Sequence, residues 1–188
     1  MRLRNVVFGV TEYFELLGIP RSLHLSLDVL QQRYYELSRQ FHPDRFMRSP
    51  EAERQKALDL SSTLNDAYRT LKDPLKRAMY VLSQEGFDVG EQRSKDVPPE
   101  LLEEVFELNM ALEEMRGGDD SARPQLETAE KNFTNMLTEV DRQLEDLFEQ
   151  YDRVQSRDTL STIRGVLNRR KYIQNLVDEV RKSLAPSP

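Results

Sequence analysis

Residues 27–71 read LDVLQQRYYELSRQFHPDRFMRSPEAERQKALDLSSTLNDAYRTL, and the fold turns on where this stretch is interrupted. Leu27, Leu30, Tyr34, Leu37 and Phe41 recur at intervals of three and four, which places all five on one face of a helix of about four turns. Pro43 ends that stripe, because its ring offers no N–H to the helical ladder. Ser49-Pro50 then reads as an N-cap followed by proline at the first helical position. Beyond it Ala57, Leu60, Leu64, Ala67 and Leu71 repeat the same spacing. Two striped helices joined by a tight turn predict an antiparallel hairpin that buries one shared seam.

Outward from the hairpin, nearly every segment reads as helix. Thr11 reads as the N-cap of a short helix over Glu12–Leu17, which Gly18 and Pro20 stop, and residues 1–10 read as an N-terminal extension. Asp73-Pro74 breaks the chain again, and Ala78, Tyr80, Val81 and Leu82 mark a short closing helix. Residues 86–97 (GFDVGEQRSKDV) hold two glycines and no apolar period, so the domain boundary is placed there. Pro98-Pro99 opens a helix over Glu100–Met115 that Gly117-Gly118 ends. A longer helix runs from about Ala122 to Tyr151, with Leu126, Ala129, Phe133, Leu137, Val140, Leu144, Leu147 and Tyr151 in near-heptad order. A last one spans Thr159–Leu184. No segment alternates as a strand would. The expectation is an all-α protein: a helical hairpin with short flanking helices over 11–85, a linker at 86–97 and a three-helix bundle over 98–188.

Composition narrows function. Of 188 residues 38% are hydrophobic and 32% charged, which suits thin, wetted helices. No run is long enough to span a bilayer, and the start does not read as a secretory signal. There is no cysteine, so disulfides, thiolate nucleophiles and a thiolate-held iron–sulfur cluster are excluded. The only two histidines, His24 and His42, have no second ligand at metal-binding spacing, so neither metal nor cofactor is expected. Residues 1–85 hold 13 Lys+Arg against 11 Asp+Glu, a net of +2, and residues 86–188 hold 14 against 22, a net of −8. An acidic second half argues against nucleic acid as its main partner, because phosphate binding needs a basic face.

The turn of the hairpin is Phe41-His42-Pro43-Asp44-Arg45-Phe46. Taken alone, His-Pro-Asp is ordinary turn chemistry: a histidine suited to a helix C-terminus, a helix-stopping proline and a turn-forming aspartate. Its place between two long amphipathic helices, with Gly-Ile-Pro before them, sets it apart. Across about residues 11–85 the chain resembles the J-domain, the module that stimulates ATP hydrolysis by DnaK-type chaperones. The resemblance rests on YFELLGIP (13–20), YYELSRQFHPDR (34–45) and LNDAYRTLKDPLKRAMY (64–80), in that order. It implies that His42, Pro43 and Asp44 carry the function, with Pro43 pre-setting the backbone so that a carboxylate and an imidazole are presented at little ordering cost. It also implies electrostatic docking through the helix before the turn, where this sequence supplies Arg33 and Arg39, with Arg45 at the turn itself. Three arginines make a thin basic face, which points to a specialised chaperone; singly, each could equally well do no more than solvate an outer face.

The helix over Glu100–Met115 holds more apolar residues than one seam needs. Leu101, Val105, Leu108, Leu112 and Met115 follow core spacing. Leu102, Phe106 and Met110 form a second stripe beside it, edged by Glu103, Glu107 and Glu114. Deeper burial would explain the surplus; so would an outward-facing patch for a partner with an apolar and basic surface. Here ELLEEVFELNMALEE (100–114) and RRKYIQNL (169–176) resemble the client-binding helices of HscB/Jac-type co-chaperones. LKDPLKRAMYVLSQEGFDV (71–89) is also closer to that family than to a general DnaJ, whose Gly/Phe-rich continuation is missing. The resemblance implies scaffold-binding positions at Leu102, Phe106, Glu107, Met110 and Tyr172, with partners of two kinds: an HscA/DnaK-type chaperone and an IscU-type iron–sulfur scaffold. It implies a co-chaperone rather than an enzyme, with no catalytic residue of its own. Lacking the Cys-rich N-terminal knuckle of some eukaryotic members, the chain is expected to be bacterial and cytoplasmic. Two other readings stay open: a J-domain co-chaperone with a different client, and a non-catalytic helical adaptor whose turn is only structural. The same apolar stripe could instead serve weak self-association.

Overall fold

The computed structural model describes residues 12–88, 99–118 and 120–185. Thr11, the extension at 1–10 and most of the segment read as a linker (89–97) lie outside the described residues. The chain divides into two compact units, Met1–Phe87 and Asp88–Pro188. All regular structure among the described residues is helical.

In the first unit, α1 (Tyr13–Leu17) is followed by the hairpin helices α2 (Leu27–Gln40) and α3 (Glu51–Lys72), joined through a 3₁₀ turn at Pro43–Phe46, and by α4 (Pro74–Gln84). Leu30 from α2 and Ala57, Leu64, Ala67 and Leu71 from α3 are buried, as a shared seam requires. Tyr34 lies half-buried in that seam, its ring stacked on Tyr68 at 4.3 Å and its hydroxyl donating to Asn65 Oδ1 at 2.8 Å. Leu27 departs from the stripe: it is 49% exposed, because it sits in the first turn of α2, where its neighbours Asp28 and Val29 are also open to water. Pro50 rather than Ser49 is the N-cap of α3. Its ψ of 151° is extended, so the helix begins one residue later, at Glu51. Asp73 caps α4, its Oδ1 accepting from the N–H groups of Leu75 and Lys76 at 2.9 and 3.0 Å, with Pro74 at the first helical position. Arg77 is buried, a position a guanidinium tolerates only when its donors are met. It donates Nε to the Leu23 carbonyl and Nη1 to that of Leu71, tying α4 to the loop before α2 and to the end of α3.

In the second unit a short 3₁₀ turn (Pro99–Leu101) leads into α5 (Leu102–Arg116); a second one (Asp120–Ala122) leads into α6 (Arg123–Val154), and α7 (Arg157–Leu184) completes a three-helix bundle. Arg170 pairs with Asp141 through two hydrogen bonds, and Arg181 with Glu130 at 2.6 Å. Moving eleven residues up α7 between those pairs moves eleven down α6, so the two helices are antiparallel and in fixed register. Gln155 makes the turn between them in the left-handed region, at φ 49°. No helix of the described residues is long and apolar enough to cross a membrane.

Candidate functional site

The turn between α2 and α3 is held by its own residues. Phe41 closes α2 with its N–H on the Leu37 carbonyl at 2.9 Å. His42 then adopts an extended conformation (φ −60°, ψ 130°), and Pro43 opens the 3₁₀ turn at the position where a missing N–H costs nothing. Inside the turn Arg45 N donates to His42 O at 3.0 Å, and His42 Nδ1 accepts from Asp44 N at 3.3 Å. The guanidinium of Arg45 donates to the Arg39 carbonyl at 3.2 Å, near the end of α2. Asp44 is thereby fixed through its backbone while its side chain stays 77% exposed. Its Oδ2 lies 3.5 Å from His42 Nδ1, so the only described basic group beside the carboxylate is an imidazole. A fixed, hydrated carboxylate is a good docking point for a cation on a partner, because little chain entropy remains to be lost.

The three arginines expected to dock the chaperone, two on α2 and one at the turn, differ in their contacts. Arg39 and Arg45 are exposed next to it. Arg33 is two turns back along α2, where its Nε donates to the Leu17 carbonyl at 3.1 Å and its Nη1 pairs with Glu36 at 2.8 Å. It thereby satisfies the C-terminal end of α1. Gly18 follows in the left-handed region at φ +63°, and a Cβ there would lie 2.6 Å from Arg33 Nη2, so glycine and arginine fit each other. Met47 is exposed directly after the turn and belongs to no apolar stripe, so periodicity gives no sign of it.

On α5 two apolar stripes have different fates. Val105, Leu108 and Leu112 are buried in the bundle, with Leu101 just before the helix. Leu102, Phe106 and Met110 are 56%, 67% and 48% exposed. Glu103, Glu107 and Glu114 are exposed along the same helix. A helix that has buried one face and still shows three large apolar side chains to water has a surface suited to a partner. Tyr172 on α7 is half-buried; burial pushes its phenol above the ordinary tyrosine pKa, and the Glu179 carboxylate adds to the shift. Glu179 pairs with Arg116 at the end of α5 at 3.4 Å. That ion pair brings the end of α5 beside the stretch of α7 that follows Tyr172. Among the described residues no cluster of His, Asp and Glu gathers as a metal ion would require.

Comparison with known proteins gives two family matches. Residues 12–80 match the model described as the DnaJ domain, and residues 97–181 match the HSCB C-terminal oligomerisation domain. Among solved structures the chain is similar to chaperone HscB from Vibrio cholerae, at 30% identity and a TM-score of 0.62, with 92% of this chain and 96% of that one covered. It is also similar to the human co-chaperone protein HscB, at 26% identity and a TM-score of 0.68, with 95% of this chain and 84% of that one covered.

Proposed function

This chain belongs to the HscB family of J-domain co-chaperones, and on that premise we propose that it stimulates the ATPase of an HscA- or DnaK-type chaperone and delivers an IscU-type scaffold to it during iron–sulfur cluster assembly and transfer. A J-domain of this family implies an Hsp70-type chaperone as partner, and the family is not one of catalytic enzymes. What the chain contributes is coupling between two binding events. In this reading His42, Pro43 and Asp44, with Arg33, Arg39 and Arg45, meet the chaperone, Arg33 also holding the end of α1 through the Leu17 carbonyl. Leu102, Phe106, Glu107 and Met110 on α5, and Tyr172 on α7, meet the scaffold. Joining the two sites in one chain raises the effective concentration of scaffold at the chaperone to the millimolar order.

The observation that carries the scaffold half is the exposure of Leu102, Phe106 and Met110 on a helix whose core face is already buried. Their acidic margin favours a basic partner over a second copy, since pairing α5 with itself would bring like charges together. Steady-state ATPase of an HscA-type chaperone tests the proposal with this protein, with an IscU-type scaffold, and with both. The expected result is stimulation by both together well above the sum of the two alone. Stimulation indifferent to the scaffold would assign the J-domain a different client. No stimulation of any DnaK-type chaperone would leave a helical adaptor.

A further inference from the structure

The His-Pro-Asp turn contains a contact that gives its histidine a specific task. The first N–H groups of a helical turn have no carbonyl within the turn to accept them. Here the N–H of Asp44 is met by His42 Nδ1 at 3.3 Å, from the N-cap position and an extended backbone. That is the geometry in which Ser, Thr, Asn and Asp cap helices through a side-chain oxygen. A ring nitrogen can accept only while it carries no proton, so this contact requires the tautomer with its proton on Nε2. Were Nδ1 protonated, it would lose the cap and turn donor toward the Asp44 carboxylate 3.5 Å away. The carboxylate that a partner's cation should meet would then be engaged within the turn. Arg45 donates to the Arg39 carbonyl, and a guanidinium, which has no acceptor, could not take the Asp44 N–H in the imidazole's place.

We propose that His42 is a positioning residue: its neutral imidazole caps the Pro43–Phe46 turn through Nδ1 and so holds Asp44 in the conformation that engages the chaperone. This rests on the reading of Asp44 as the chaperone contact, and it deepens that reading by separating the two side chains' roles. One presents charge; the other fixes where the charge stands.

Two amides distinguish capping from any role of the ring as such. In asparagine the carbonyl oxygen occupies the place of Nδ1, one bond from Cγ, and asparagine is among the best N-caps. In glutamine the oxygen lies one carbon further out and cannot close the same short contact. His42→Gln should raise the concentration of protein giving half-maximal ATPase stimulation about five- to tenfold, the fraction of competent turn lost with one N-cap. His42→Asn should recover most of that loss. The cap is read independently of any chaperone from amide hydrogen exchange at Asp44 in the full chain, protected in the wild type and His42→Asn and unprotected in His42→Gln. Long-range nitrogen–proton spectra of the wild-type ring should show Nδ1 unprotonated. Equal loss in both variants, or equal retention in both, would overturn the proposal, as would an Asp44 amide that exchanges alike in all three proteins. If the wild type stimulates no chaperone, the functional reading fails by itself, and the exchange data still decide whether His42 caps the turn.

Discussion

Asp44→Asn should leave a folded protein that no longer stimulates its chaperone. The substitution keeps the shape of the side chain and removes its charge. It leaves the turn intact, because His42 accepts from the backbone N–H of residue 44 and not from its side chain. The side chain is largely in water, so its replacement disturbs no packing. Cutting one partner of a desolvated, hydrogen-bonded charge pair costs about 2–5 kcal/mol, which at tenfold per 1.4 kcal/mol is a loss of roughly thirtyfold or more. A transient complex has no reserve against a loss of that size. The check is ATPase stimulation across a range of co-chaperone concentrations, beside a circular dichroism melt. Unchanged stimulation would mean that the carboxylate is not the contact.

Phe106→Ala should have the second-largest effect, on the other partner. A large aromatic at the centre of an apolar strip is the kind of residue whose truncation costs about 2 kcal/mol or more at an interface, a weakening of scaffold binding of roughly thirtyfold. Because Phe106 is mostly exposed, bundle stability should stay within about 0.5 kcal/mol of wild type. Leu108, two positions on and 1% exposed, provides the contrast. Leu108→Ala should cost about 2–5 kcal/mol of stability through the cavity it leaves, and should affect binding only as the bundle unfolds. Titration calorimetry with the scaffold and urea denaturation separate the two. A Phe106→Ala variant that binds normally, or one as destabilised as Leu108→Ala, would remove α5 from the proposed scaffold site.

The spacing of apolar residues made the helices legible, since stripes at three and four residues leave little choice of secondary structure. The breaks at Pro43 and Asp73-Pro74 were legible for a related reason: proline cannot continue a helix, and aspartate caps the next one. Periodicity fixes a face but not how far the partner helix covers it, which is why Leu27 belongs to the stripe of α2 and yet stands in water. In α6 the sequence continued a near-heptad through Leu147, whereas the buried residue is Phe148, with Leu147 half-buried. A straight helix of 3.6 residues per turn drifts by about 20° per heptad, so over a 32-residue helix the seam moves to the neighbouring position. The end of α6 ran past Tyr151 to Val154 because the left-handed residue that closes it is Gln155, a type that gives no stop signal.

At the sites, side-chain identity was legible and side-chain commitment was not. His42, Pro43 and Asp44 stand out by position, and the two stripes of α5 separate by spacing. Arg33 looked like Arg39, two basic residues on one helix. Only the fold brings the Leu17 carbonyl, sixteen residues away, within reach of its guanidinium. Likewise the contact between His42 Nδ1 and the Asp44 amide depends on backbone angles that His-Pro-Asp as a string does not specify.

If one chain couples two partners, a mixture of the two single-site variants must fail where the wild type succeeds. Full-length Asp44→Asn keeps the scaffold site without the chaperone contact, and full-length Phe106→Ala keeps the reverse. Each is added with scaffold to the chaperone, then both together, and ATPase rates are measured. If coupling runs through the covalent chain, the mixture stimulates no more than Phe106→Ala alone, because the scaffold is held by a molecule that cannot engage the chaperone. Recovery of the wild-type synergy by the mixture would contradict coupling through a single chain, since two separate molecules would then suffice.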